Sequence, residues 1–212
     1  MDKIDIIKKL GEEKLVAVIR AESKEQGLKI VDAVQKGGIH FLEITMTVPG
    51  AIDVIKTLVE ENQNPDVVIG AGTVLDPETA RAVILAGAKF VVSPCFSEGV
   101  IKTCNRYRVP VMTGAQTINE IVMSLELGVD VVKVFPGDAY SPSIIKSFKG
   151  PLPQANFMPT GGVSVDNVND WLASGAYAVG TGSSLTQGAK ENDFDKVVAE
   201  AKKFVEAVKK GN

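Results

Sequence analysis

Val109-Pro110-Val111-Met112-Thr113-Gly114-Ala115-Gln116-Thr117-Ile118-Asn119-Glu120-Ile121-Val122-Met123-Ser124-Leu125-Glu126-Leu127-Gly128-Val129-Asp130-Val131-Val132-Lys133-Val134 holds one complete strand–helix–strand unit. The apolar run 109–112 predicts a strand. Thr117, followed three residues later by Glu120, is a capping-box signature, and apolar residues recur at helical spacing over 118–127. Gly128 then supplies the left-handed backbone that ends a helix. The β-branched run 131–134 reads as the next strand, short and apolar enough to be buried.

The same alternation extends in both directions along the chain. Further strands are predicted at 15–19, 41–45, 67–70, 90–93, 157–159 and 178–180. Helical patterns lie between them at 26–35, 51–60, 78–86, 98–107, 142–148, 165–174 and 194–208. Glycines close several of these, as at Gly37-Gly38, Gly87 and Gly175. Asp76-Pro77-Glu78, Ser97-Glu98 and Ser141-Pro142 read as helix starts. Eight strand–helix units in 212 residues predict an α/β (β/α)₈ TIM barrel, one domain over residues 1–212. An open doubly wound sheet would carry a glycine-rich fingerprint after its first strand, and Ile19-Arg20-Ala21-Glu22 has none. Residues 1–11 add an amphipathic N-terminal helix, expected to close the bottom of the barrel with Ile4, Ile7 and Leu10 inward.

Composition narrows the function. Net charge is −3 with both signs interspersed, and no basic block or aromatic–basic stripe points to nucleic acid. Met1-Asp2-Lys3-Ile4-Asp5 lacks the apolar stretch of a signal peptide, and no run reaches membrane-spanning length, so a cytoplasmic protein without membrane contact is expected. Cys95 and Cys104 show no framework spacing and read as reduced thiols, Cys95 as a small buried hydrophobe near the fourth strand. His40 is the one histidine, which leaves no histidine cluster for a metal. It precedes the second strand and is expected at the end of the barrel opposite the mouth. Trp171 reads as a packing residue.

Against this background Lys133 stands out, a lone amine in Val131-Val132-Lys133-Val134-Phe135-Pro136. Lysine is rarely buried, and apolar surroundings favour the neutral amine over the ammonium. A neutral amine condenses with a ketone to give a Schiff base. The plain alternatives are a lysine whose tip snorkels to solvent or one paired with a carboxylate. In a barrel, side chains at the carboxyl ends of the strands converge on one mouth. Read in order, those ends carry Arg20, Glu43 with Thr45, Thr73, Ser93 with Pro94, Thr113, Lys133, Thr160-Gly161-Gly162 and Gly182-Ser183-Ser184. Glu43, flanked by apolar residues, fits either an acid/base group beside the lysine or its counter-ion. Arg20 fits a bidentate anchor for a substrate carboxylate or a salt bridge to Glu43 or Glu22. The glycine-rich turns after the seventh and eighth strands expose backbone N–H groups suited to a phosphate.

Taken in order, Val16-Ala17-Val18-Ile19-Arg20, Leu42-Glu43-Ile44-Thr45, Gly70-Ala71-Gly72-Thr73-Val74, Val92-Ser93-Pro94, Lys133-Val134-Phe135-Pro136 and Pro159-Thr160-Gly161-Gly162-Val163 resemble the family of 2-keto-3-deoxy-6-phosphogluconate (KDPG) and 4-hydroxy-2-oxoglutarate (KHG) aldolases. The resemblance runs almost end to end. It implies a class I aldolase on a (β/α)₈ barrel, normally a homotrimer, with no metal and no organic cofactor. By that resemblance Lys133 matches the Schiff-base lysine and Glu43 the acid/base glutamate. Arg20, Thr73 and Pro94 match residues around the pyruvate-derived part, Phe135 belongs to the substrate-binding set, and Gly161, Gly162 and Ser183 or Ser184 match the phosphate end.

Two stretches depart from the pattern. Thr45-Met46-Thr47-Val48-Pro49 has threonine where many members carry an arginine, which leaves Arg20 as the main carboxylate anchor. Thr113-Gly114-Ala115-Gln116-Thr117-Ile118-Asn119-Glu120 lacks the prolines common in that loop. Neither touches the Lys–Glu pair. The expected reaction is cleavage of KDPG to pyruvate and glyceraldehyde 3-phosphate. Cleavage of KHG to pyruvate and glyoxylate, or of the galactonate-derived phosphate, remains open. The rivals outside this chemistry are a phosphosugar epimerase, which would need several histidines or carboxylates at the strand ends, and a phosphometabolite-binding module without turnover.

Overall fold

A computed structural model describes residues 1–211. Among them, eight parallel strands form a nearly closed barrel: β1 (Leu15–Ile19), β2 (Phe41–Thr45), β3 (Val68–Gly72), β4 (Val91–Val92), β5 (Val111–Ala115), β6 (Val131–Val134), β7 (Phe157–Pro159) and β8 (Val179–Thr181). Their hydrogen-bonded order is β7-β6-β5-β4-β3-β2-β1-β8, and a single parallel bridge between Thr160 and Gly180 joins the two ends. Helices α2 (Lys24–Lys36), α3 (Ala51–Glu61), α4 (Pro77–Leu85), α5 (Glu98–Arg106), α6 (Ile118–Glu126), α7 (Ile144–Lys149), α8 (Val168–Ala173) and α9 (Phe194–Lys210) follow the strands in turn. This is the (β/α)₈ fold that the alternation predicts.

Period-two alternation divides the core into two layers. Outward residues such as Ala17, Ile19, Leu42, Ile44, Ile69, Val111, Val132 and Val179 pack under the helices. Inward residues Val16, Phe41, Val68, Phe90, Val92, Met112, Val131, Met158 and Ala178 fill the lower lumen. Helix α1 (Lys3–Glu13), capped reciprocally by Asp2 and Asp5, seals that end. Its Ile6 and Leu10 are buried in the luminal cluster, and Tyr177 Oη donates to the Ile7 carbonyl at 2.8 Å. At about 1.5–3 kcal/mol per buried aliphatic side chain, Ile6 and Leu10 hold the plug with roughly 3–6 kcal/mol. The expected inward Ile4 is instead 70% exposed. Ile6 and Leu10 share one helical row, and Ile4 lies about 200° around the helix from Ile6.

Local signals hold at most helix starts. Asp76 caps α4 with Pro77 in its first turn, Ser97 caps α5, and Thr117 with Glu120 forms the capping box of α6. The expected start at Ser141-Pro142 shifts to Ser143, because the Ser141 and Ser143 hydroxyls bond each other at 2.7 Å within a turn. Strand β5 begins two residues later than predicted. Pro110 has no N–H for the ladder, although its carbonyl accepts from the Val91 N–H at 3.0 Å. Among the described residues, no helix is long and apolar enough to cross a membrane.

Candidate active site

Lys133 on β6 and Glu43 on β2 both point into the lumen, where the apolar layer below gives way to the mouth. Lys133 is 4% exposed and Glu43 fully buried. The lysine Nζ lies 3.5 Å from Glu43 Oε1. Neither Glu43 oxygen accepts a hydrogen bond from the protein among the described residues. A buried carboxylate without hydrogen-bond donors is costly, and the lysine 3.5 Å away is the group that offsets that cost. Space for Glu43 comes from Gly72, where a Cβ would collide with the carboxylate. Phe135 sets its ring 5.1 Å from the lysine Nζ, within cation–π range.

The residues flanking this pair are fixed in different ways. Thr45 Oγ1 donates to the Ile19 carbonyl at 3.1 Å and shares a 2.7 Å hydrogen bond with Thr47 Oγ1. The upper end of β2 is therefore closed by two neutral hydroxyls. Thr73, just beyond β3, has φ 57°. A β-branched residue rarely adopts that conformation, which stores roughly 1–3 kcal/mol and clusters at functional sites. Pro94 is half-buried, and its carbonyl closes against Gly114 of β5. Thr113, grouped with the mouth in the sequence, turns outward to Ser124 on α6 at 3.1 Å. Cys95 is exposed rather than buried, because the chain leaves the barrel wall at Pro94. His40 sits at the far end of the barrel, 3.1 Å from Glu13. Trp171 is buried.

Next to the pair, a cavity of about 490 Å³ opens between the ends of β1, β7 and β8. It brings together Arg20, Phe135, Gly161, Gly162 and Ser183. Lys133, Glu43, Thr73 and Pro94 lie outside its lining; Phe135 bridges the two regions. Arg20 is exposed and forms neither of the anticipated salt bridges. It shares this lining with the glycine turns. Gly161 and Gly162 both have positive φ, 100° and 68°, which only glycine adopts freely in succession. The parallel bridge at Thr160 turns the Gly161 N–H toward Gly180, whereas the N–H groups of Gly162, Ser183 and Ser184 have no acceptor within the protein among the described residues. Ser184 Oγ donates to the Val163 carbonyl at 2.7 Å, whereas the exposed Ser183 hydroxyl has no partner among the described residues.

Several lining residues were not singled out from the sequence, Gln26, Lys190 and Thr160 among them. Gln26 and Lys190 carry no local motif. Thr160 was read only as part of the strand end, yet its hydroxyl is buried without a partner. Among the described residues, no group of three histidine, cysteine or carboxylate side chains is placed to hold a metal ion.

A family model described as "Aldolase: KDPG and KHG aldolase" matches residues 6–200. The chain belongs to this family. The aldolase is 34% identical to the 2-dehydro-3-deoxy-phosphogluconate aldolase of Haemophilus influenzae over 210 residues, covering 96% of this chain and 97% of the relative. It is 31% identical over 198 residues to the KHG/KDPG aldolase of Escherichia coli strain K12, with 92% of each covered. The crystal structure of KDPG aldolase from Legionella pneumophila, with pyruvate captured at low pH as a covalent carbinolamine intermediate, matches with a TM-score of 0.84 and 28% identity. That match covers 92% of this chain and 96% of the other. As a member of an aldolase family, this enzyme is a carbon–carbon lyase.

Proposed function

We propose that this class I aldolase cleaves KDPG reversibly to pyruvate and glyceraldehyde 3-phosphate, with Lys133 as the Schiff-base residue and Glu43 as the acid/base. The observation that carries this reading is the buried Lys133–Glu43 pair at 3.5 Å, beside a cavity rimmed by unpaired backbone N–H groups. Transfer of a proton from Lys133 to Glu43 gives the two neutral forms that addition requires. The amine attacks the C2 ketone, and Glu43 protonates the departing hydroxyl, so water leaves and an iminium forms. Glu43, now a carboxylate, takes the proton from the C4 hydroxyl. The C3–C4 bond breaks, its electron pair moves into the iminium, and the aldehyde departs from an enamine. Protonation at C3 regenerates an iminium, which water hydrolyses to pyruvate and free Lys133. The reaction as written draws on no metal or organic cofactor.

Thr73 and Pro94 flank the pyruvate-derived carbons in this reading. Gly162 and Ser183 receive the phosphate through their N–H groups, with Ser183 adding its hydroxyl, Ser184 its own N–H, and Gly161 the turn that opens the cradle. Arg20 shares a cavity with these turns and in this reading pairs with the phosphate rather than with the substrate carboxylate. Residues 1–212 act as one barrel in the cytoplasm, where the two thiols stay reduced. A homotrimer, which the family resemblance implies, is testable by sedimentation.

Borohydride reduction with pyruvate, followed by peptide mass mapping, tests the reading. The expected adduct lies on Lys133; an adduct on another lysine overturns it. Parallel turnover of KDPG and KHG decides the substrate, and faster cleavage of KHG would replace the phosphorylated substrate with the shorter one.

A further inference from the structure

We propose that Lys190 is an outer cationic arm of the substrate site, gripping the terminal phosphate of the aldehyde half opposite Arg20. This inference rests on the reading above and specifies its anion: a phosphate monoester, a dianion near neutral pH. Lys190 belongs to the 3₁₀ turn Gln187–Glu191 and lines the same cavity as Arg20, Gly161, Gly162 and Ser183. Its ammonium has no hydrogen bond or ion pair among the described residues, and neighbouring Glu191 is taken by Lys196 at 3.6 Å. The charged lining of the cavity is therefore Arg20 and Lys190 against one carboxylate, Glu22. A carboxylate monoanion, such as the far end of KHG, is satisfied by one guanidinium fork. Two cations with a set of free N–H groups match a dianion better.

The turn does not reach the cavity by accident of a mobile loop. Gln26, at the start of α2, accepts from the Glu22 N–H at 2.8 Å and donates to the Ala189 carbonyl at 3.2 Å. One side-chain amide thus clamps the loop that follows Arg20 to the turn that carries Lys190. Behind it, the Gly188 carbonyl accepts from the Asp193 N–H at 2.9 Å. Thr160, whose buried hydroxyl has no partner among the described residues, lies on the same lining as Phe135 and the two cations. The cavity therefore runs from two cations at its rim to the aromatic ring that borders the reactive lysine.

The test compares wild type, Lys190→Met and Lys190→Arg in the aldol direction, with pyruvate and either glyceraldehyde 3-phosphate or unphosphorylated glyceraldehyde. The expected result is that Lys190→Met lowers the preference for the phosphorylated aldehyde, as a ratio of kcat/KM, by about tenfold, carried mostly by KM. Lys190→Arg should restore most of that ratio, and inorganic phosphate should inhibit Lys190→Met more weakly than wild type. A ratio unchanged in Lys190→Met overturns the proposal, as does a wild type that does not favour the phosphorylated aldehyde. Borohydride trapping at Lys133 reports separately on the Schiff-base reading, so the failure of one is distinguishable from the failure of the other.

Discussion

Lys133 Nζ and Glu43 Oε1 face each other at 3.5 Å across the barrel, on strands β6 and β2 that are separated by β5, β4 and β3 in the hydrogen-bonded order. The pair is thus held by barrel closure and by the absence of a Cβ at Gly72. Glu43→Gln keeps the shape of the side chain while removing its proton-transfer capacity. It should lower kcat by about 10²–10⁴-fold and still allow slow trapping of pyruvate on Lys133. Lys133→Met should abolish trapping altogether, with circular dichroism confirming a folded barrel. Retained carbon–carbon cleavage in Lys133→Met would remove the lysine from the mechanism.

The two serines after β8 should separate cleanly. Ser184→Ala deletes the 2.7 Å bond to the Val163 carbonyl, and chemical denaturation should register a loss of about 1 kcal/mol. Ser183→Ala breaks no bond in the structure, so its stability should match wild type within about 0.5 kcal/mol, while KM for the phosphorylated substrate rises. A reversed pattern would mean that the Ser184 hydroxyl faces the ligand.

The cysteines should differ in reactivity. Cys104 is buried on α5, and its thiol is pushed up to about 12 by desolvation, so it stays protonated at neutral pH. Cys95 is exposed at the mouth beside Pro94. Iodoacetamide on the native enzyme should label Cys95 alone, with Cys104 reacting only after denaturation. Substrate analogues that occupy the pyruvate region should slow the labelling of Cys95.

Acid should weaken the start of α4. The Thr79 N–H donates to Asp76 Oδ1 at 2.6 Å and its hydroxyl to Oδ2 at 2.8 Å, and these bonds, the backbone one first, hold the Asp76 carboxyl below its ordinary 3.8. A depressed pKa in the folded state stabilises fully above the unfolded value and is lost as pH falls through the folded one. Asp76→Ala should therefore cost about 1 kcal/mol at neutral pH. The gap between mutant and wild type should shrink once the pH drops below 3.8. A gap that persists in strong acid would mean that the carboxylate charge is not what caps the helix.

Much of this was legible in one dimension because the signals are local. Strands β1 and β2 have the predicted bounds: β1 is a continuous apolar run ended by Arg20, and β2 is apolar around the lone Glu43 and ends at Thr45. Strand β5 was misplaced because Val109-Pro110 is as apolar as a strand, while its true upper half, Thr113-Gly114-Ala115, is polar or small. Gly114 is required there by the Pro94 carbonyl, a contact no local pattern encodes. Ile4 was misread because the plug helix carries apolar residues on more than one side, and only the lumen selects the row of Ile6 and Leu10. Lysine in an apolar strand made Lys133 visible. Lys190, one of 23 lysines and arginines, had no such contrast; only folding brings its turn beside Arg20.

The plug formed by Ile6 and Leu10 beneath Phe41, Phe90 and Met158 makes the barrel a blind tube. Traffic in the proposed reaction then uses a single doorway, and a pyruvate unit joined through C2 to Lys133 would occupy its deepest berth. The aldehyde, parked nearer the threshold, has to depart before pyruvate can. That order follows from the covalent bond to Lys133, and the cork at the opposite end of the molecule leaves no back exit.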